Sequence, residues 1–162
     1  MIRTPNARLM LAGIAAMVAV FLLIRSVTGG SPGHDAFFYD ISAGRLFTAP
    51  RSSVPPIRGV DGPEEDAFRA VVVSINGNAA DKSSWRVAYL ERYSPELKRQ
   101  IEVSQAGGPP PAMGRGGSST HRWVRRTNDV EWATLGSEAG ERIVSEWLSA
   151  GVNGATPVLC TP

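Results

Sequence analysis

The sequence is poor in the residues that staple or metallate a small domain. Its 162 residues include one cysteine, Cys160, and two histidines, His34 and His121. One cysteine cannot close an internal disulfide, so the fold cannot rest on that link. Cys160, close to the C-terminal Pro162, reads as a plain tail residue, with a free or intermolecular thiol as the alternative. A structural zinc site needs about three or four Cys, His or acidic ligands at workable spacing. His34, His121 and Cys160 are far apart in the sequence and share no motif, so neither metal nor cofactor is expected. No G-x-S-x-G elbow is present. His34 sits in a Gly/Pro stretch and His121 borders a low-complexity one, both poor places from which to orient a base toward a nucleophile. Gly114-Arg115-Gly116-Gly117-Ser118-Ser119-Thr120 lacks the preceding strand and the Gly-Lys-Ser/Thr ending of a phosphate loop. It reads as a flexible loop, and the acid run Glu64-Glu65-Asp66 as a solvated one. No internal repeat is visible.

Acids are absent from the N-terminal segment. All 15 lie from Asp35 onward, whereas Arg3, Arg8 and Arg25 are three of the 17 basic residues. Beyond residue 25, 14 basic residues face 15 acids, a net of −1. The basic pI near 9.0 is therefore a property of the N-terminal segment. A nucleic-acid binder concentrates positive charge on its folded part, so nucleic acid is not an expected partner.

That segment holds the one long apolar run. Leu9 to Ile24, LMLAGIAAMVAVFLLI, is sixteen residues without a polar side chain. As a helix it spans about 24 Å, a little short of a bilayer core of about 30 Å. Arg8 and Arg25 can snorkel, and Ser26 to Thr28 can extend the span. A buried helix of a small soluble domain is not apolar on every face. The rival is a cleaved signal peptide, but Arg25 follows the apolar run directly and SVTGG is a weak cleavage site. No cysteine follows for lipoprotein processing, and no prepilin motif is present. The expectation is a bitopic protein of the bacterial inner membrane. Residues 1–8 are cytoplasmic, 9–28 form a signal anchor, 29–35 a tether and 36–162 an extracytoplasmic domain, oriented by the positive-inside rule. In the anchor, Gly13-x-x-Ala16 and Ala15-x-x-x-Ala19 allow close helix packing, with a merely anchoring helix as the alternative.

The rest of the chain alternates strand and helix signals. FFYDISAGRLFTAP predicts a hairpin over 36–41 and 45–48, with Gly44 in the turn and Pro50 as the stop. FRAVVVSI is apolar on both parities and predicts a central strand covered on both faces. Asn76-Gly77 is a turn. In WRVAYLERY, Trp85, Val87, Tyr89 and Tyr93 share one parity, which favours a strand over a helix. Ser94-Pro95-Glu96 starts a helix that ends near Ala106, with Leu97 and Ile101 on one face. Residues 107–120 are a flexible loop, and HRWVRRT a short strand. Ser137 caps a helix whose buried stripe is Gly140, Ile143, Val144, Trp147 and Leu148. TPVLC is a last edge strand. The fold class is α+β: a small, mostly antiparallel sheet with two helices packed on it.

The segments FFYDISAGRLFTAP, PPI and AYLERYSPELK together resemble a group of bacterial single-pass membrane proteins. These carry a Tyr-Asp-x-x-x-Gly-x-Leu-Phe hairpin after an N-terminal transmembrane helix. The likeness covers about half of the outer domain and implies an anchored domain without a particular activity. Those proteins often have cysteines just after the central strand. This chain has Ser74-Ile75-Asn76-Gly77-Asn78 there, so no redox or metal role carries over to that loop.

One basic cluster stands out. Arg115, Arg122, Arg125 and Arg126 surround Trp123. On a strand, Arg122 and Arg126 share a face with Val124, and Trp123 and Arg125 share the other. Such a surface can bind an anionic headgroup, a sugar or a partner protein; the alternative is a solvated edge whose arginines block aggregation. Tyr39 and Asp40 can add a binding rim, unless Asp40 caps its own turn. The function expected is a non-catalytic, membrane-anchored envelope protein, an accessory or assembly subunit with a protein partner. The alternatives are a binding module for cell-wall or anionic lipid or sugar ligands, and a tethered hydrolase.

Overall fold

The computed structural model describes residues 34–112 and 117–162. The expected anchor at 9–28, its packing residues Gly13 and Ala16, the 1–8 segment and Arg115 lie outside the described residues. Among those described, no helix is long and apolar enough to cross a membrane.

The aromatic-rich hairpin forms as its sequence predicts. β1 (Asp35–Asp40) pairs antiparallel with β2 (Arg45–Pro50), placing Phe38 opposite Phe47 and Tyr39 opposite Leu46. Gly44 closes the turn at φ +63°, a backbone state that costs glycine little. The apolar run becomes β3 (Ala67–Ser74), the middle strand, and WRVAYLERY becomes β4 (Trp85–Tyr93). Helix α1 (Pro95–Gln105) follows, capped by the Ser94 hydroxyl, which accepts from the Leu97 N–H at 3.2 Å. Next come α2 (Gly117–His121), β5 (Arg122–Arg125), β6 (Ala133–Thr134), α3 (Glu138–Glu146) and β7 (Val158–Leu159). The sheet order is β2-β1-β3-β4-β5-β6, with β7 also on β3, and every described pair is antiparallel. The edge of β3 is shared: β1 pairs with its Ala67–Arg69 half, β7 with Val73 and Ser74.

TPVLC supplies an edge strand as expected, since β7 pairs on one side only, with the central strand β3. Three sequence expectations need correction. β6 was not foreseen; two residues are too few to show a period. Gly117–His121 is a helical turn at the end of the stretch expected to be a loop, giving three helices rather than two. Finally, the α3 stripe stops early. The chain passes into a 3-10 turn at Trp147–Ser149, whose tighter winding takes Leu148 off the stripe and leaves it 58% exposed.

A bulge decides which side chains share a face. The β3–β4 register shifts between Val71 and Val72: Val71 lies opposite Tyr89, and Val72 opposite Val87. The extra residue, Ala88, reverses the alternation beyond it. Trp85 and Val87 therefore join one face, while Tyr89 and Tyr93 take the other, although all four share a parity in the sequence.

The two faces are covered differently. On one, Phe38, Ala67, Val73 and Val124 are buried. Loop 50–57 lies over the β1–β3 end of it: Arg69 donates to the carbonyls of Arg51 and Ser53 at 2.9 and 3.0 Å, and Lys98 of α1 donates to those of Val54 and Pro56 at 3.2 and 2.9 Å. At the other end α3 packs on β5 and β6. Gly140 makes this possible, since a Cβ there would overlap the Thr134 carbonyl oxygen. The opposite face carries Phe37, Phe68, Ala70, Val72, Leu90 and Cys160, flanked by half-buried Tyr39, Leu46, Trp85, Val87 and Trp132. No helix contributes a residue to this second cluster.

Candidate functional site

The second face owes its character to two arginines at positions where an antiparallel sheet normally places apolar side chains. Arg92 shares the parity of Leu90 on β4, and Arg125 lies directly opposite Leu90 on β5. Trp123 faces Arg92 across the same strand pair. Trp132, just before β6, folds over the sheet and meets Phe68 with ring centroids 4.8 Å apart. The result is a stack. The Arg92 guanidinium lies 4.4 Å from the Trp123 ring centre and 4.5 Å from that of Trp132. Arg125 lies 4.9 Å from Trp132 and 5.8 Å from Phe68. Along the face the order is Trp123, Arg92, Trp132, Arg125, Phe68.

The two arginines are satisfied differently. Arg125, 9% exposed, donates to the carbonyls of Asp129 and Val130 at 2.7 and 3.3 Å. It thereby ties down the loop that brings Trp132 into place, which makes it a structural residue. Arg92 has no hydrogen-bond or ion-pair partner among the described residues. Its Nε, like that of Arg125, is buried and unpaired. Burial lowers the pKa of Arg92, and the nearby Arg125 charge lowers it further; burial does the same to Arg125. Each cation–π contact contributes about 0.5–2 kcal/mol. An unpaired ion taken out of water loses several kcal/mol. Arg92 is only half-buried, so it bears a fraction of that cost, and an anion could meet its remaining N–H groups.

The residues singled out in the sequence divide among different roles. Trp123 and Arg125 belong to the stack. Arg122 points to the other face, where it pairs with Glu91 at 2.9 Å. Arg126 donates through Nε to Glu146 at 2.7 Å and pairs with Asp129 at 3.1 Å. Its hydrogen bond to Glu146, then that to Asp129, raises its pKa. Both are committed ion pairs. Tyr39 lies on the same face as the stack, within the apolar cluster. Asp40 is fully buried and accepts from the Ala43 N–H, the Ser42 hydroxyl and the Val60 N–H at 2.9, 2.9 and 2.7 Å. The Ala43 bond leads in lowering its pKa. Asp40 thus caps its turn and does not present its carboxylate to a ligand.

Arg92 and Trp132 were missed. The signal for Arg92 was available, since it alternates with Leu90 on a strand next to the central one. Trp132 belongs to no periodic segment and gives no such signal. His121 accepts from or donates to the Ser94 hydroxyl at 2.8 Å, a bond that closes α1 onto the start of β5. No group of three or more metal-ligating residues occurs among the described residues. Compared with protein-family models, curated proteins and solved structures, the chain matches none.

Proposed function

We propose that this chain is a non-catalytic, membrane-anchored envelope protein whose outer domain works by contact, through the face that carries Trp123, Arg92 and Trp132. One observation supports this reading above the others: a guanidinium held between two indoles, with no acid paired to it among the described residues. Such a group has planar, fixed donors that suit a carboxylate or phosphate. Trp123 and Trp132 each give a ring face to Arg92, which leaves less open indole for stacking on sugar and favours an anionic complement.

Anchoring and orientation are tested together on the full chain. Membranes from cells expressing it with a C-terminal tag are washed at alkaline pH, and spheroplasts are treated with external protease. The reading requires the protein to stay with the membrane and the tag to be lost. Release by the wash, or a tag that only an internal protease removes, would overturn it.

A further inference from the structure

The reading above leaves open what the exposed stack meets, and the position of the domain narrows this. Residues 29–34, between the expected anchor and β1, number six and span at most about 22 Å. An anchored domain is therefore held within a few nanometres of the bilayer surface, where even weak contacts are populated because the effective concentration is high. The tether joins β1 at its Asp35 end. This end of the sheet carries Phe37 and Trp85, whose rings meet edge to face at 5.3 Å. From Trp85, β4 runs about 23 Å along the same face to Arg92 at about 3.3 Å per residue.

The chemistry of this face matches a lipid headgroup layer. Trp85, Trp123 and Trp132 are half-buried, and indoles favour the membrane–water interface. Lys82 adds a cation 5.6 Å from the Trp85 ring. Among the strand residues of this parity the charged ones are Arg92, Arg125 and, at the outer end of β1, Asp35. Glu91 lies on the opposite face with Arg122, whereas Glu131, next to Trp132, shares with it a cleft that Arg126 and Arg142 also line. The balance of this face is cationic and aromatic.

Resting on the anchored reading, we infer that the Trp85–Trp123–Arg92–Trp132 face docks onto the anionic headgroups of the bilayer that anchors the chain, with Arg92 meeting lipid phosphate. The domain then lies against the membrane and does not project from it.

The test uses full-length protein in vesicles of phosphatidylcholine with or without phosphatidylglycerol, part of the lipid brominated. All four tryptophans lie in the described domain, and Trp147 is on the α3 side beside Val73. Flotation at alkaline pH first shows whether the chain is anchored. In anionic vesicles more than half of the indole emission should be quenched, as Trp85, Trp123 and Trp132 reach the headgroup level. Raising the salt to about 1 M, where screening acts within about 3 Å, should restore it. Arg92→Gln and Arg92→Glu should quench no more than the parent does in neutral vesicles, with near-UV circular dichroism confirming that they fold. Failure to float overturns the anchored reading and this inference with it. A floating protein without quenching, or with equal quenching in neutral vesicles, overturns the inference alone. In native membranes, photo-crosslinking from Thr48→benzoylphenylalanine, an exposed position of the same face, should give lipid adducts. Adducts with protein only would overturn lipid docking.

Discussion

The two faces of one sheet solve the burial problem in different ways. The face under α3 and loop 50–57 is covered by other parts of the chain, and its charged groups have partners there: Asp40 has three donors, Arg126 two carboxylates, and Arg69 two carbonyls, although the Arg69 Nε is buried and unpaired. Among the described residues, the other face is covered mainly by its own large side chains, with residues 79–82 against Trp85, and Arg92 has no hydrogen-bond or ion-pair partner. A protein selected for stability alone gains nothing from an unpaired guanidinium in that position. The contrast is the basis for proposing the Arg92 face as the contact surface.

The contrast can be broken from its strongest side. Phe38→Ala removes a fully buried ring from the covered face and should cost about 3–5 kcal/mol in denaturant unfolding. A loss below 1 kcal/mol would mean that this face is not the stabilising one. Gly140→Ala puts a methyl group against the Thr134 carbonyl and should force α3 off β6, at up to about 3 kcal/mol; an unchanged melting temperature would show that the helix does not pack this closely. On the exposed face, Trp132→Ala should cost less, about 2 kcal/mol, because the ring is only half-buried.

The sharpest comparison is between the two stacked arginines. Arg92→Met should be neutral or stabilising by up to about 1 kcal/mol, because it removes an unpaired charge. Arg125→Met should destabilise by about 1–3 kcal/mol, because it orphans the carbonyls of Asp129 and Val130. Equal effects in a denaturant series would erase the distinction between a structural and a presented arginine. The narrowest effect is in acid. The pKa of Asp40 is held below its usual 3.8, first by the Ala43 N–H and then by the Val60 N–H and the Ser42 hydroxyl. Its contribution is complete above that value and is lost as pH falls through the lower folded one. Asp40→Asn should flatten the acid limb of the stability profile below about pH 4 and leave the region above pH 5 parallel to the parent.

Much of the fold was legible because its signals are local. The Ser94-Pro95-Glu96 start, the Gly44 and Gly77 turns and the two-sided apolar run at 67–74 each carry their cause within a few residues. The candidate site was legible only in part. Trp123 and Arg125 were recognised as sharing a face, and grouping by sequence added Arg122 and Arg126, which the folded chain commits to Glu91 and Glu146. Arg92 and Trp132 come from 30 residues before and seven after Arg122–Arg125, respectively; strand pairing brings Arg92 opposite Trp123, and a folded-back loop brings Trp132 to Arg92.

By itself the sequence determined the longer elements and their caps, because dihedral preference, capping and hydrophobic period act over one or two turns of chain; β6 and the short α2 lay outside that reach. It also determined the absence of a disulfide, since one cysteine cannot pair with itself. Tertiary structure alone decided which arginines are paired. That depends on the β3–β4 bulge, on the register of β5 and on a loop tryptophan folding back over the sheet. All three are set by contacts between residues distant in sequence, whose energies no local window contains.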